Sequence, residues 1–263
     1  MKRVMLVALL SLPLIPAAYS DVTITQSNTI KGGMGIGGDF SGPTYVKGNK
    51  MRTDVEMGGK TRTTIFDVDA QKMYIFDSGK KEADVWDMAA FSEELAKNID
   101  LSGLQASITP NGQTKEIDGH HAVGYDVLIS LESAMNGNKS MMMTVTLQGP
   151  VWIVKDVPGA AEYSRFYRTA ADKGWIFSDP RAAKSQPGQA KAIAEMYRKI
   201  AEIGGIAYEI DLQIKLSGTG PMAGIFAKMG NMSMTSHVTS AVDGALADTL
   251  FAPPADYKLN QKK

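Results

Sequence analysis

The chain has 263 residues, with 28 Lys+Arg against 28 Asp+Glu, three His, no Cys and 44% apolar residues. That mixture excludes a disordered, collagen-like or coiled-coil chain, and the length suffices for a domain with its own core. Zero net charge offers no footprint for nucleic acid or an anionic membrane, and the missing cysteine excludes disulfides, thiol nucleophiles and cysteine metal cages.

In chain order, Lys2 and Arg3 precede an apolar run over residues 4–15, broken only by Ser11, and Ala18 and Ser20 take the small-residue positions before a cut at Asp21. This is the layout of a cleavable signal peptide over residues 1–20. It is shorter than the roughly 20 apolar residues that span a bilayer. The mature chain, residues 21–263, keeps 26 basic against 28 acidic residues and has no later segment long or apolar enough to span. The expectation is a single soluble domain, in the periplasm or secreted.

Period-two alternation predicts strands at 51–57, 61–68, 72–77, 123–131, 141–147, 206–216 and 232–238. The clearest is 206–216, where Ile206, Tyr208, Ile210, Leu212, Ile214 and Leu216 share one parity and Glu209, Asp211, Gln213 and Lys215 the other. One wet face implies antiparallel pairing, because parallel strands are apolar on both sides. Asn111-Gly112 and Asp118-Gly119 read as hairpin turns. Two main helices interrupt the strands, over 158–173 and 188–203, with a short one at 89–97. Residues 177–187 read as the loop between the main pair.

Chemical motifs are scarce. Gly32-Gly-Met-Gly-Ile-Gly-Gly38 resembles a phosphate loop in composition, but no GKS or GKT ending or helix follows it, so it reads as a hairpin loop. His120 and His121 are adjacent on a strand and point to opposite faces. His237 could join one of them, but without cysteine a third metal ligand would have to be a carboxylate, and no metal is expected. No GxSxG or HExxH occurs. The expectation is a protein that is not an enzyme and needs no cofactor. Of 16 Met, 14 follow residue 20. Paired thioethers could bind Cu(I), but Met51, Met57, Met141, Met143, Met232 and Met234 all fall on the apolar parity, where Met fills adaptable space.

Several motifs resemble a known group. Tyr45-Val-Lys-Gly-Asn-Lys-Met-Arg52, and Ile117-Asp-Gly119 leading to Tyr125, are similar to the strand motifs of an exported bacterial family of unknown function. So are Trp152 with Val157-Pro-Gly159, Glu162, Tyr163 and Phe166, then Gly204-Gly-Ile206, and the closing Phe251-Ala-Pro-Pro-Ala-Asp-Tyr257. The resemblance runs over most of residues 45–257. That family in turn looks similar to the LolA-like lipoprotein carriers. What this implies is an α+β, mainly β fold: a curved antiparallel sheet forming an incomplete barrel, with two main helices plugging its concave side. It also implies a periplasmic protein that holds a lipid or lipoprotein acyl chain. In those carriers a basic residue on an early strand helps opening and closing; Arg52 has the sequence position, but alternation puts it on the face opposite Met51 and Val55.

Area points to the same fold. About nine strands offer roughly 40 inward positions, while two one-sided helices present only about six apolar residues each, so the sheet must curl. A barrel of this width commonly leaves room for one apolar ligand; the alternative is close packing without a cavity. The candidate ligand wall is Tyr163, Phe166 and Tyr167 from the first main helix, Tyr197 and Ile200 from the second, and Met141, Met143, Met232 and Met234 from the strands. Gly204-Gly205 and the loop 177–187 would be hinges. Two functions follow: a carrier whose partner is a lipid or an acylated protein, or an envelope interaction or sensor module that docks a protein and carries nothing.

Overall fold

The computed structural model describes residues 20–32, 37–97, 103–135, 138–175, 177, 179–185, 187–220 and 223–262. The segment read as a signal peptide lies outside them, apart from Ser20.

The described strands are β1 (Val22–Lys31), β2 (Gly37–Lys47), β3 (Lys50–Met57), β4 (Lys60–Asp67), β5 (Lys72–Asp77), β6 (Glu82–Asp87), β7 (Gln105–Ile117), β8 (His120–Met135), β9 (Asn138–Val154), β10 (Ile206–Gly218), β11 (Met232–Asp243) and β12 (Lys258–Lys262). They form one sheet in the order β12-β6-β5-β4-β3-β2-β1-β11-β10-β9-β8-β7, with β12 and β7 at the two ends, so the sheet does not close into a barrel. Every neighbouring pair is antiparallel except β12 against β6. The helices are α1 (Met88–Lys97), α2 (Ala160–Asp172), α3 (Pro180–Ser185), α4 (Pro187–Ile203) and α5 (Ala223–Met229).

Side-chain alternation fixes which residues share a face. Val46, Met51, Phe66 and Met73 are successive register partners from β2 to β5, and all are buried. Ile214, Leu147 and Ile129 make the same row across β10, β9 and β8. These rows form the concave face, on which α1, α2 and α4 pack. The opposite face is treated differently along its length. Over β3–β6, Leu246, Leu250, Phe251 and Tyr257 from the C-terminal segment cover Ile65, Phe76 and Tyr74. Over β8–β11 it carries polar side chains.

Three features depart from the sequence reading. Asn111-Gly112 is not a hairpin turn but lies inside β7, where the register against β8 shifts between Pro110 and Thr114. A bulge and a tight turn both call for Gly at positive φ, here 76° at Gly112, so the dipeptide alone does not separate them. Asp118-Gly119 is the true turn, with φ of 50° and 79°. The stretch 177–187 contains α3, too short to show a period. The parallel β12 was not foreseen either: its side chains are nearly all exposed, so it has no apolar alternation, and it is held by backbone pairing to β6.

Candidate functional site

The aromatic residues expected on the two main helices do meet. Tyr167 of α2 stacks on Tyr197 of α4 with centroids 4.8 Å apart and planes 10° apart. Tyr163 lies 4.8 Å from Tyr167, and the fully buried Phe166 lies 5.5 Å from it. Sequence reasoning missed Phe177, which wedges against Tyr167 at 4.7 Å and Tyr197 at 5.5 Å. It stands in an irregular segment, where no period marks a side chain as inward. Phe66 of β4 completes the contact with the sheet, 5.9 Å from Phe177. Burial pushes the hydroxyls of Tyr163, Tyr167 and Tyr197 above the ordinary phenol value, while Tyr163 and Tyr167 hydrogen-bond each other.

The methionines do not join this seam. Met232 and Ile200 belong to a second apolar group beneath α4, with Met196, Leu147, Ile153 and Leu212, and Met234 is half-buried against it. Met143 packs with Val145 and Phe226 under α5. Met141 is part of β9, and its side chain lies outside the described residues. The single wall expected from sequence is therefore three groups: the aromatic seam, the group under α4 and the group under α5. Lengths explain the split: β9 has 17 residues and α4 also has 17, but a strand advances about 3.3 Å per residue and a helix about 1.5 Å. One helix cannot span the strands it covers, so α5 takes over the far end.

The two main helices are held differently. Glu162 of α2 is buried and accepts hydrogen bonds from the Gly48 amide at 2.6 Å and the Arg165 guanidinium at 2.6 Å. Ser164 donates to the Gly205 carbonyl and accepts from the Gly205 amide, both at 3.1 Å. In α4 the buried positions are Gly188, Ala190, Ala192, Ala194, Met196, Ile200 and Ala201, so only two large side chains reach the sheet from fully buried positions.

The expected hinges narrow accordingly. Gly205 has a φ of 96°, and a Cβ there would lie 2.5 Å from the Val154 carbonyl oxygen, so this residue is wedged against β9 as well as pinned by Ser164. Gly204 meets nothing within 4 Å. The stretch 177–187 is tied down: Asp179 pairs with Arg181 at 2.8 Å and with Arg62 of β4 at 3.4 Å, and Arg181 reaches Asp84 of β6 at 3.3 Å. Arg52 lies on the face away from the helices, bonded to Asp54 at 3.0 Å and the Leu250 carbonyl at 3.2 Å. The histidines go to separate partners: His120 to the Tyr208 ring, His121 to Glu116, and His237 to Asp118 and Glu209. Among the described residues, no group of three His, Cys, Asp or Glu could hold a metal ion, and no helix is long and apolar enough to cross a membrane.

No family model and no curated protein matches the chain. It is similar to solved structures at low identity. PNGF-II is 14% identical, with a TM-score of 0.37 over 92% of this chain and 31% of that one, so the chain spans about a third of its length. A LolA superfamily protein from Nitrosomonas europaea is 7% identical, with a TM-score of 0.34 over 89% of this chain and 91% of that one. A DUF1329 family protein from Desulfovibrio piger is 8% identical, with a TM-score of 0.35 over 90% and 91%. These neighbours thus include a LolA superfamily protein and a DUF1329 family protein.

Proposed function

We propose that the protein is an exported, periplasmic carrier for a hydrophobic ligand, a lipid or the acyl chain of a lipoprotein, which enters between α4 and the concave face of the sheet. The observation that supports this most is the underside of α4. Five of the helix's seven buried residues are Ala or Gly, and toward the sheet it presents Ala192, Met196 and Ile200, with Ile193, Tyr197 and Ile203 partly buried beside them. Burial free energy follows apolar area, so an alanine contact contributes far less than the roughly 1.5–3 kcal/mol of a buried Leu or Phe. An acyl chain gains about 0.8 kcal/mol per buried methylene. A dozen methylenes contribute about 10 kcal/mol, the same order as what Met196, Ile200 and their partly buried neighbours lose when the helix lifts. Binding of this kind needs no catalytic step and no cofactor, and it reverses when a better apolar acceptor, such as an acylated or envelope protein partner, is offered.

The test is uptake of a fluorescent fatty acid by delipidated protein, alongside mass spectrometry of lipid extracted from freshly purified protein. Ala192→Leu fills the space under α4 at an overpacking cost of about 1–3 kcal/mol. The expected result is saturable uptake by the native protein and its loss in this variant, with the fold retained. Absence of both uptake and co-purified lipid would leave the docking or sensor module as the reading.

A further inference from the structure

The face of the sheet away from the helices carries a second concavity, of about 380 Å³, over β1, β11, β10 and β9. Its size falls within the roughly 300–1,000 Å³ of small-molecule sites. Two cross-strand rows build it. Ser27, His237, Glu209 and Trp152 are successive register partners from β1 to β9. Beside them run Thr29, Thr235 and Asp211. Lys115 of β7 leans in from the sheet's end, ion-paired to Glu209 and with its ammonium 4.3 Å from the centre of the Trp152 ring. His237 is flanked by Asp118 at 3.1 Å and Glu209 at 3.7 Å.

The backbone around this concavity is irregular in three strands at once. Register shifts occur at Thr25/Gln26 in β1, at Ala207/Glu209 in β10 and at Pro110/Thr114 in β7, each next to a lining residue. Bulges re-aim side chains and concentrate beside sites. Across from Trp152 stands Gly124 of β8, where a Cβ would lie 2.5 Å from Asn111 Oδ1 and 3.0 Å from the indole ring. The missing side chain lets the indole lie down on the sheet rather than stand off it.

The chemistry selects the ligand class. An acyl chain does not suit a floor of hydroxyls and charges. A phosphate or other anion meets three carboxylates, Asp118, Glu209 and Asp211, against two basic groups, Lys115 and His237. A divalent cation finds no converging set of ligands. An amine competes with Lys115 for Glu209 and leaves the hydroxyls of Ser27, Thr29 and Thr235 unused. A neutral polyol finds a partner for each of its groups: carboxylates and serine or threonine hydroxyls for its O–H groups, and an aromatic face for its C–H face once Lys115 swings aside. We propose that this concavity binds a saccharide ring, independently of any ligand on the concave face.

The experiment uses the full purified chain. Trp86 and Trp175 are buried in the core while Trp152 is only partly buried, so a ligand at this site changes the emission of Trp152 first. Maltose and chitobiose are titrated to about 10 mM, enough to saturate a site of millimolar Kd. Putrescine and inorganic phosphate are run as rival chemistries. The expected result is a saturable change with a disaccharide, confirmed by calorimetry, and affinity weakened at least about tenfold in Glu209→Gln and in Asp211→Asn. Trp152→Ala should abolish binding; the two carboxylate variants keep the test decisive if that one fails to fold. The lid variant Ala192→Leu should bind the sugar as the native protein does. Silence with both sugars, preference for putrescine or phosphate, or sugar binding indifferent to Glu209 and Asp211 would overturn the proposal.

Discussion

α2 and α4 lie side by side on one apolar face and even share a motif, an acid followed three residues later by an arginine. In α2 this is Glu162 and Arg165, in α4 Glu195 and Arg198. The pairs do different work. Glu162 is buried, takes the amide of Gly48, and its arginine reaches on to Asn49, so the pair bolts the helix to the β2–β3 turn. Glu195 and Arg198 stay on their own helix, with Glu202 as the arginine's second partner. Polar bonds to the sheet fix α2, whereas α4 rests on apolar contacts, Ala192, Met196 and Ile200 against the sheet and Tyr197 stacked on Tyr167. A helix held by area alone can be traded for another apolar surface. One held by directed bonds from a buried carboxylate cannot, because the unpaired groups left behind are costly. On the carrier reading, α4 is therefore the element expected to lift.

The seam between the two helices sets the largest expected effect. Burial raises the pKa of Tyr163, Tyr167 and Tyr197, and Tyr208 is raised by burial and by the charge of Asp118. An unfolded chain ionises its phenols near the ordinary value of 10.0, before the folded chain does. Above that pH the unfolded state releases protons that the folded state retains, so stability falls as pH rises and is untouched below it. Phenolate absorbance followed together with helix content should show the last tyrosines ionising only as helix is lost. Tyr163, Tyr167 and Tyr197 titrating near the ordinary value with the fold intact would mean that the seam is wet.

Next in size is the contrast between the two ion pairs. Glu162→Gln weakens two buried bonds and leaves Arg165 without its carboxylate, a loss of about 2–4 kcal/mol. Glu195→Gln removes a pair within one helix, worth about 0.5 kcal/mol or less. Denaturant midpoints of the two variants measure the difference. Equal losses would mean that α4 is anchored as firmly as α2. Native-state hydrogen exchange asks the same of the unmutated protein: amides of α4 should exchange through an opening at least about 2 kcal/mol below that of α2. Protection of the two helices at one common free energy would remove α4 as a lid.

How much of this could be read from the chain depended on whether one face of an element was wet. β10 was legible because Glu209, Asp211, Gln213 and Lys215 mark its polar parity without a break. β1 and β2 were not, since Thr, Ser, Asn and Gly crowd both parities and burial there comes from neighbours across the sheet. The helix aromatics were legible from their spacing, and they do converge. That the methionines divide between the groups under α4 and α5 was not, because periodicity assigns a face but says nothing of how far along a strand the covering helix extends. The concavity around Trp152 was invisible for a related reason. Its row runs perpendicular to the chain, through β1, β11, β10 and β9, and only the strand order puts Ser27 beside His237 and Glu209 beside Trp152.

The last contrast, smaller than that of Glu162→Gln, concerns the pivot. Ser164 is 2% exposed and bonds both the amide and the carbonyl of Gly205, where α4 has ended and β10 begins. Gly205 cannot move freely, because a carbonyl of β9 stands against the space where a side chain would be. Gly204 has open space around it and a φ of 80°, so rotation there swings α4 without disturbing β10. Ser164→Ala removes the clamp and leaves two backbone groups short of partners, costing about 1–2 kcal/mol. The stability loss is minor, but its distribution is diagnostic. If α4 turns about Gly204, the variant should take up a fluorescent fatty acid at much the same rate as the native protein, since the clamp lies on the fixed side of the pivot. Exchange should quicken at Gly205 and Ile206 and not along α4. If uptake instead accelerates severalfold, Gly205 is part of the moving joint, and Ser164 holds the lid shut rather than holding the sheet still.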